Sequence, residues 1–212
     1  MSIIVPTITA EEPHTYRAQI ERVQKFATRL HIDLMDGIFT PNKSIATNQV
    51  WWPETVSADI HLMFRSPESE LDALFTLKPA MVIIPAESDC DIAEFAQQLN
   101  KAGIKCGLAI LAETSVASVA EVLGSVQQLL IFSGNLGHQG GSAANLGLLE
   151  KAVEAKSINP ALEIAWDGGV NEANAAHIAQ AGVAVINVGS AIQLAEDSEQ
   201  AFNKLQALVS SS

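Results

Sequence analysis

The sequence has few basic residues and few cysteines. Of its 212 residues, 12 are Lys or Arg and 24 are Asp or Glu, which gives a formal net charge of −12. Because nucleic-acid and anionic-membrane surfaces need clustered Lys and Arg, this composition argues against both as partners. The two cysteines, Cys90 and Cys106, lie outside any metal-ligand spacing and are typical of a reducing compartment.

Long apolar runs and domain boundaries are also missing. No apolar run approaches the ~20 residues of a membrane span, and the N-terminal segment lacks the basic start of a signal peptide. We therefore expect a cytoplasmic protein without a membrane partner. No linker, repeat or low-complexity stretch divides residues 1–212, so we expect a single domain, and 48% hydrophobic residues can form a sizeable core.

Imidazoles and carboxylates recur in short apolar runs. His31 and Asp33 stand two residues apart in the first of these runs and share a face if it is a strand. His61 lies in a second such run, and Asp167 ends a third. Active sites of α/β proteins lie at strand ends, so these four residues are candidates for a functional site.

Strand and helix patterns alternate about eight times along the chain. Strands are predicted at 3–8, 30–35, 58–63, 81–84, 105–111, 127–132, 163–166 and 185–188. Helices are predicted at 16–27, 92–102, 116–123, 145–155, 174–181 and 198–209, with a weak helical stretch at 48–56 and a helix capped by Ser66 that ends near 77. This alternation favours an α/β fold of the closed (β/α)8 TIM barrel type over an open doubly wound sheet.

Four stretches of the chain carry a more specific signal. They are HIDLMDGIFTPN (31–42), DIHLMFRSPE (59–68), WDGGVNEANAAHIAQAG (166–182) and VGSAI (188–192). In this order they resemble the ribulose-phosphate 3-epimerase family of (β/α)8 barrels. The resemblance implies a barrel of the ribulose-phosphate-binding type, and it implies a homo-oligomer because family members are commonly oligomeric.

The strand count places His31, Asp33, His61 and Asp167 at the mouth of such a barrel. Two imidazoles and two carboxylates suit one divalent metal, such as Zn, Fe, Mn or Co, and by resemblance these positions match the family's metal ligands. The alternative, four separately hydrogen-bonded buried groups, is disfavoured because unpaired buried charges are costly. Asp59 faces the same side as His61 and is either a hydrogen-bond acceptor for an imidazole or a solvated carboxylate.

Two of these residues also match the family's proton carriers. Inverting a carbon next to a carbonyl requires a base on one face of an enediolate and an acid on the other. By resemblance Asp33 and Asp167 play these catalytic roles. Met35 and Met63 either line the site and exclude water or are ordinary core residues.

Glycines follow the last three strands, where (β/α)8 barrels commonly bind phosphate. Backbone N–H groups can hold an anion there without a lysine, although each glycine could equally be a simple turn residue. Thr7 takes the place of a serine in the family's first strand, and His61 is also expected to contact substrate. The expected substrate and phosphate contacts are Thr7, His61, Gly137, Gly140, Gly141, Gly168, Gly169, Gly189 and Ser190.

Some positions depart from the family pattern. In the loop after strand six, Leu136, His138 and Gln139 replace its usual residues, which leaves open whether this loop closes as a lid. Pro85 stands where strand four usually ends in histidine, and Leu111 where strand five usually ends in asparagine. The ligands are thus retained while the pocket walls differ.

Three functions remain open at this point. The first is metal-dependent inversion of C3 between D-ribulose 5-phosphate and D-xylulose 5-phosphate. The second keeps the chemistry with another ketose phosphate, such as allulose 6-phosphate. The third is a non-catalytic barrel that binds a phosphorylated metabolite, which the presence of both Asp33 and Asp167 disfavours.

Overall fold

Eight parallel strands close into a barrel in chain order. The structure is a computed structural model that describes residues 2–137 and 142–210. The strands are β1 Ile3–Thr9, β2 Arg29–Met35, β3 Ser57–Met63, β4 Met81–Pro85, β5 Lys105–Ile110, β6 Gln128–Phe132, β7 Glu163–Asp167 and β8 Val185–Val188. The predicted (β/α)8 barrel is confirmed.

Helices cover the outside of the barrel. They are α1 Pro13–Val23, α2 Leu71–Leu77, α3 Ile92–Lys101, α4 Glu150–Ile158, α5 Ala175–Gln180, α6 Ser190–Gln193 and α7 Ser198–Ser210. Local chemistry sets their ends: the Asp91 side chain caps α3 by accepting from the Glu94 N–H, and Gly103 follows this helix with φ +78°. None of the described helices combines the length and the apolar character needed to cross a bilayer.

Two predicted helical stretches form only short turns. Between β2 and β3 a short, weak helix interrupted by Pro53 was expected, and the chain forms the 3₁₀ turn Thr47–Gln49. Between β5 and β6 it forms only the 3₁₀ turn Ala117–Val119. Here the Ser118 N–H bonds the Ser115 hydroxyl and the Ser118 hydroxyl bonds the Ser115 carbonyl, so local side-chain bonds replace helical ones.

The start of α2 also differs from the expectation. Ser66 makes no side-chain cap, and a 3₁₀ turn, Pro67–Glu70, precedes the helix. Proline fits this first turn because it lacks the N–H that would otherwise be unpaired. The predicted position of the helix was therefore close, and Ser66 stands at the N-cap position with Pro67 next to it, but the cap precedes a 3₁₀ turn and lacks the expected side-chain hydrogen bond.

The interior of the barrel is layered. In β7 the inward residues are Glu163 at the amino end, Ala165 in the middle and Asp167 at the carboxyl end, and the neighbouring strands pair with them level by level. The middle layer is apolar, and it consists of Val5, Met81, Ile83, Ala109, Leu130, Ala165 and Val185. It separates a polar cluster at the amino ends of the strands from another at the carboxyl ends.

Candidate active site

The register of the sheet brings the four predicted ligands to one point. Asp33 and His61 are Cα partners across β2 and β3, while Asp167 reaches the same level from β7. One ligand atom from each of His31, Asp33, His61 and Asp167 lies within 4.8 Å of the others. His31 Nε2 is 3.2 Å from Asp33 Oδ1 and 3.6 Å from Asp167 Oδ2, and His61 Nδ1 is 3.2 Å from Asp33 Oδ1.

His31 is the most telling member of this cluster. It is fully buried, yet within the described chain neither ring nitrogen has a hydrogen-bond partner, since its short contacts to carboxylates lack hydrogen-bond geometry. A buried nitrogen normally finds a donor or acceptor. An imidazole that faces two carboxylates without bonding either fits a ligand arranged around a cation, and the N₂O₂ donor set suits a divalent transition metal.

The electrostatics of the cluster favour positive charge at its centre. Burial would lower the pKa of His31, but the negative charges of the Asp167 and Asp33 carboxylates that face the ring outweigh it and raise that pKa to about 10. Burial would raise the pKa of Asp33, but the imidazoles of His31 and His61 hold it well below its usual range. Asp33 is therefore ionised at neutral pH, as a metal ligand and a base both require.

Thr9 is a member of the site that sequence reasoning missed. β1 pairs with β2 so that Thr9 stands opposite Asp33, and Thr9 Oγ1 donates a 2.7 Å hydrogen bond to Asp33 Oδ2. Asp33 Oδ1 faces the imidazoles, so the two oxygens have different partners. The sequence could have indicated Thr9, because Thr7 is a predicted site residue and residues two apart on a strand point to the same face.

A cavity of about 350 Å³ opens above the cluster at the carboxyl ends of the strands. This volume lies within the range of small-molecule sites. The predicted residues that line it are Thr7, Asp33, Met35, Met63, Gly137, Asp167, Gly168, Gly169, Gly189 and Ser190. Gly140, Gly141, His138 and Gln139 lie outside the described residues.

Two of the predicted glycines are required by close packing. Gly168 has φ +112°, and a Cβ there would lie 2.3 Å from the Gly134 nitrogen. Gly169 has φ +71°, and its Cβ would lie 2.1 Å from the Ala144 nitrogen. The loop after β6 therefore packs directly on the backbone that follows β7, which only glycine permits.

The chain resembles known proteins over nearly its whole length. The family model described as "Ribulose-phosphate 3 epimerase family" matches residues 3–193. The chain belongs to this family. The ribulose-phosphate 3-epimerase of Helicobacter pylori (strain ATCC 700392 / 26695) is 30% identical over 210 residues and 96% of each chain. That of Aquifex aeolicus is 28% identical over 218 residues, covering 99% of this chain and 97% of the relative.

Solved structures share the fold of this family member. 3-Hexulose-6-phosphate synthase from Salmonella typhimurium superposes with a TM-score of 0.74, 14% identity and 99% coverage of both chains. Phosphoribosyl anthranilate isomerase from Thermus thermophilus gives a TM-score of 0.67 at 15% identity, with 100% and 99% coverage. At these identities the likeness shows the barrel fold alone.

Asp59 does neither of the two things expected of it. It is 1% exposed, and its Oδ2 accepts a 2.7 Å bond from Arg29 Nε at the amino ends of the strands. Arg29 also contacts Glu163, which accepts from Gln128. Asp59 therefore belongs to a buried ion-pair cluster below the apolar layer, because the first residue of β2 directs a guanidinium under the neighbouring strand.

The described lining of the cavity carries two carboxylates and no basic side chain. Among the described residues that line it there is no Lys or Arg, so side-chain cations do not account for binding of a phosphate. The Asn42 amide donates a 2.6 Å bond to the Gly137 carbonyl, which ties the loop after β2 to the loop after β6. Backbone N–H groups and neutral side chains remain as the anion ligands this wall can offer.

Proposed function

We propose that this family member inverts C3 of D-ribulose 5-phosphate to give D-xylulose 5-phosphate. The observation that carries the proposal is that Asp33 and Asp167 approach the same His31 nitrogen from separate strands and both line the cavity. A carbonyl-adjacent carbon placed between two such carboxylates has one proton carrier on each face. The names of the relatives support this substrate.

The two carboxylates act in sequence. Ionised Asp33 removes the C3 proton from one face, and Asp167, which enters the step protonated, donates its proton to the other face. Proton exchange with solvent then returns both carboxyls to their starting states, and in the reverse direction their roles exchange. Thr9 holds the Asp33 carboxylate in place through its 2.7 Å bond. Met35 and Met63, both nearly fully buried, line this part of the cavity and limit the access of water to the enediolate.

His31, Asp33, His61 and Asp167 would hold one divalent metal ion such as Zn, Fe, Mn or Co. Bound there, the ion would supply Lewis-acid stabilisation of the negative charge that develops on the substrate oxygens, an effect of several kcal/mol. The unpaired nitrogens of buried His31 support this assignment.

The phosphate is assigned to the glycine loops after β7 and β8. Gly168, Gly169, Gly189 and Ser190 all line the cavity. Backbone N–H groups can bind the anion there without a cationic side chain. This assignment accounts for phosphate binding by a protein of strongly negative net charge.

Solvent exchange tests the mechanism. In D₂O, turnover should place deuterium at C3 of the product, because the carboxyl that receives the substrate proton is not the one that supplies the new proton. Asp167→Asn should lower epimerisation by about 10²–10⁴ or more, since it removes a proton carrier and alters a ligand. Glu163→Gln, which changes a carboxylate on the same strand below the apolar layer, is the matched control and should epimerise normally.

NMR of the recovered sugars distinguishes the candidate functions. Inversion without solvent deuterium at C3 would contradict the two-carboxylate mechanism. Turnover of a ketohexose 6-phosphate in preference to the pentulose would keep the chemistry and change the substrate. No exchange or inversion with any ketose phosphate would favour a binding protein.

A further inference from the structure

One buried amide beside the candidate active site has no partner. Asn187 is 2% exposed, and neither its Oδ1 nor its Nδ2 is hydrogen-bonded to any described residue. A buried side-chain amide left without partners is costly, so most buried amides are paired. Asn187 borders the cavity that holds Asp33 and Asp167, which is where a partner can come from.

The sheet register fixes where Asn187 stands. Its Cα partner on β7 is Asp167, and its partner on β1 is Val5. Gly189 and Ser190, assigned above to the phosphate, follow two and three residues later along the chain. Asn187 thus stands beside the proposed proton carrier Asp167 and just before the proposed phosphate loop along the chain, at the upper edge of the apolar layer.

We propose that Asn187 is a specificity-determining residue that binds the C4 hydroxyl of the substrate. In a pentulose 5-phosphate, C5 carries the phosphate and C3 is the carbon that reacts, so the hydroxyl on C4 is the one free hydroxyl between them. A carboxamide can accept from that hydroxyl through Oδ1 and donate to it through Nδ2. This inference rests on the proposed function and adds a contact that selects for the substituent at C4.

The unpaired state also makes a prediction about stability. An apolar side chain of similar shape removes an unsatisfied buried group, so Asn187→Leu should unfold at an equal or higher temperature than the wild type. A residue kept for structure would show the opposite. If Asn187 lowers the stability of the substrate-free protein, it is kept for binding and not for folding, as is common for residues of functional sites.

The decisive measurement compares kcat/KM for D-ribulose 5-phosphate with kcat/KM for its 4-deoxy analogue. The wild type should prefer the natural substrate by roughly 10- to 100-fold, and Asn187→Leu should reduce this preference to a few-fold at most. Gln128→Met is the matched control, because it removes a buried inward-facing amide at the opposite end of the barrel. It should leave the preference unchanged. If Asn187→Leu fails to fold, Asn187→Val replaces it.

Each outcome decides the question. If Asn187→Leu retains the full preference, or loses activity equally on both substrates, Asn187 does not bind the C4 hydroxyl; the second result would make it a positioning residue for Asp167. Inversion of D-ribulose 5-phosphate by the wild type with no preference over the 4-deoxy analogue would also refute the inference while leaving the proposed function intact. Absence of wild-type turnover with any ketose phosphate would refute both.

Discussion

The ion-pair cluster below the apolar layer predicts a large and specific loss of stability. Arg29 Nε contacts Asp59 Oδ2 at 2.7 Å, and the side chain of Asp59 is 2% exposed. Burial already raises the pKa of Asp59, although the positive charge of Arg29 opposes the shift. Arg29→Met keeps the length of the side chain but leaves the Asp59 carboxyl buried without its cation.

The cost of this change follows from burial. Breaking a buried pair by removing one partner typically costs about 3–5 kcal/mol, because the remaining charge is uncompensated. For a protein of this size each kcal/mol lowers the unfolding temperature by about 2–4 °C, so Arg29→Met should unfold roughly 6–20 °C below the wild type. Loss of the contact between Arg29 and Glu163 adds less to the decrease in stability, since the Glu163 side chain is 34% exposed.

An exposed pair on the same protein provides the control. Lys204 Nζ and Glu172 Oε2 are 2.5 Å apart, but their side chains are 60% and 53% exposed. Lys204→Met should therefore change the free energy of unfolding by about 0–1 kcal/mol. Urea unfolding followed by circular dichroism measures both variants, and the double variant Arg29→Met/Asp59→Leu should be more stable than Arg29→Met alone. Equal effects of Arg29→Met and Lys204→Met would refute the reasoning.

Three further predictions concern the candidate active site. Purified protein should carry about one divalent metal per chain and His31→Ala should lower its occupancy by elemental analysis; full activity in protein shown to be metal-free would contradict the assignment. Ser190→Asp should weaken competitive inhibition by inorganic phosphate at least about tenfold through like-charge repulsion, whereas Ser157→Asp on the outer surface should not; equal inhibition constants would move the phosphate elsewhere. Thr9→Val should lower kcat roughly 10- to 100-fold by releasing Asp33, with KM less affected; an unchanged kcat would show that the hydrogen bond is not needed.

The barrel could be predicted from the sequence because its signals are local. Apolar runs of strand length alternate with helical patterns, and each strand or helix can be predicted from its own segment of sequence without knowing which residues pack against it. The same holds for the pairing of His31 with Asp33, since spacing by two places both on one face of a strand. The expected homo-oligomer depends on surfaces of a second copy and remains a prediction, to be checked by light scattering.

The elements that were mispredicted depend on competition between local bonds. The segment around Val116 and Val119 has helical spacing, but Ser115 and Ser118 bond each other's backbone and the chain turns instead. The spacing of apolar residues does not show whether such side-chain hydrogen bonds will compete with the helical ones. The partner of Asp59 was missed for a different reason. It is Arg29 on the neighbouring strand, and the sequence of one strand does not show how that strand is aligned with the next.

The two polar ends of the barrel interior differ in how fully their groups are paired, and the difference separates stability from function. At the amino ends Asp59 Oδ2 accepts from Arg29 and Gln128 Nε2 donates to Glu163, so each of these side chains has a partner within the fold, although Asp59 Oδ1 and Gln128 Oε1 bond no described residue. At the carboxyl ends the ring nitrogens of His31 make no hydrogen bond to any described residue, and the same is true of the Asn187 amide. Since unpaired buried groups cost free energy, they persist where a bound ion or substrate completes them. Ligand binding should therefore stabilise this protein more than its contact area alone suggests, because it satisfies groups that the fold leaves unpaired.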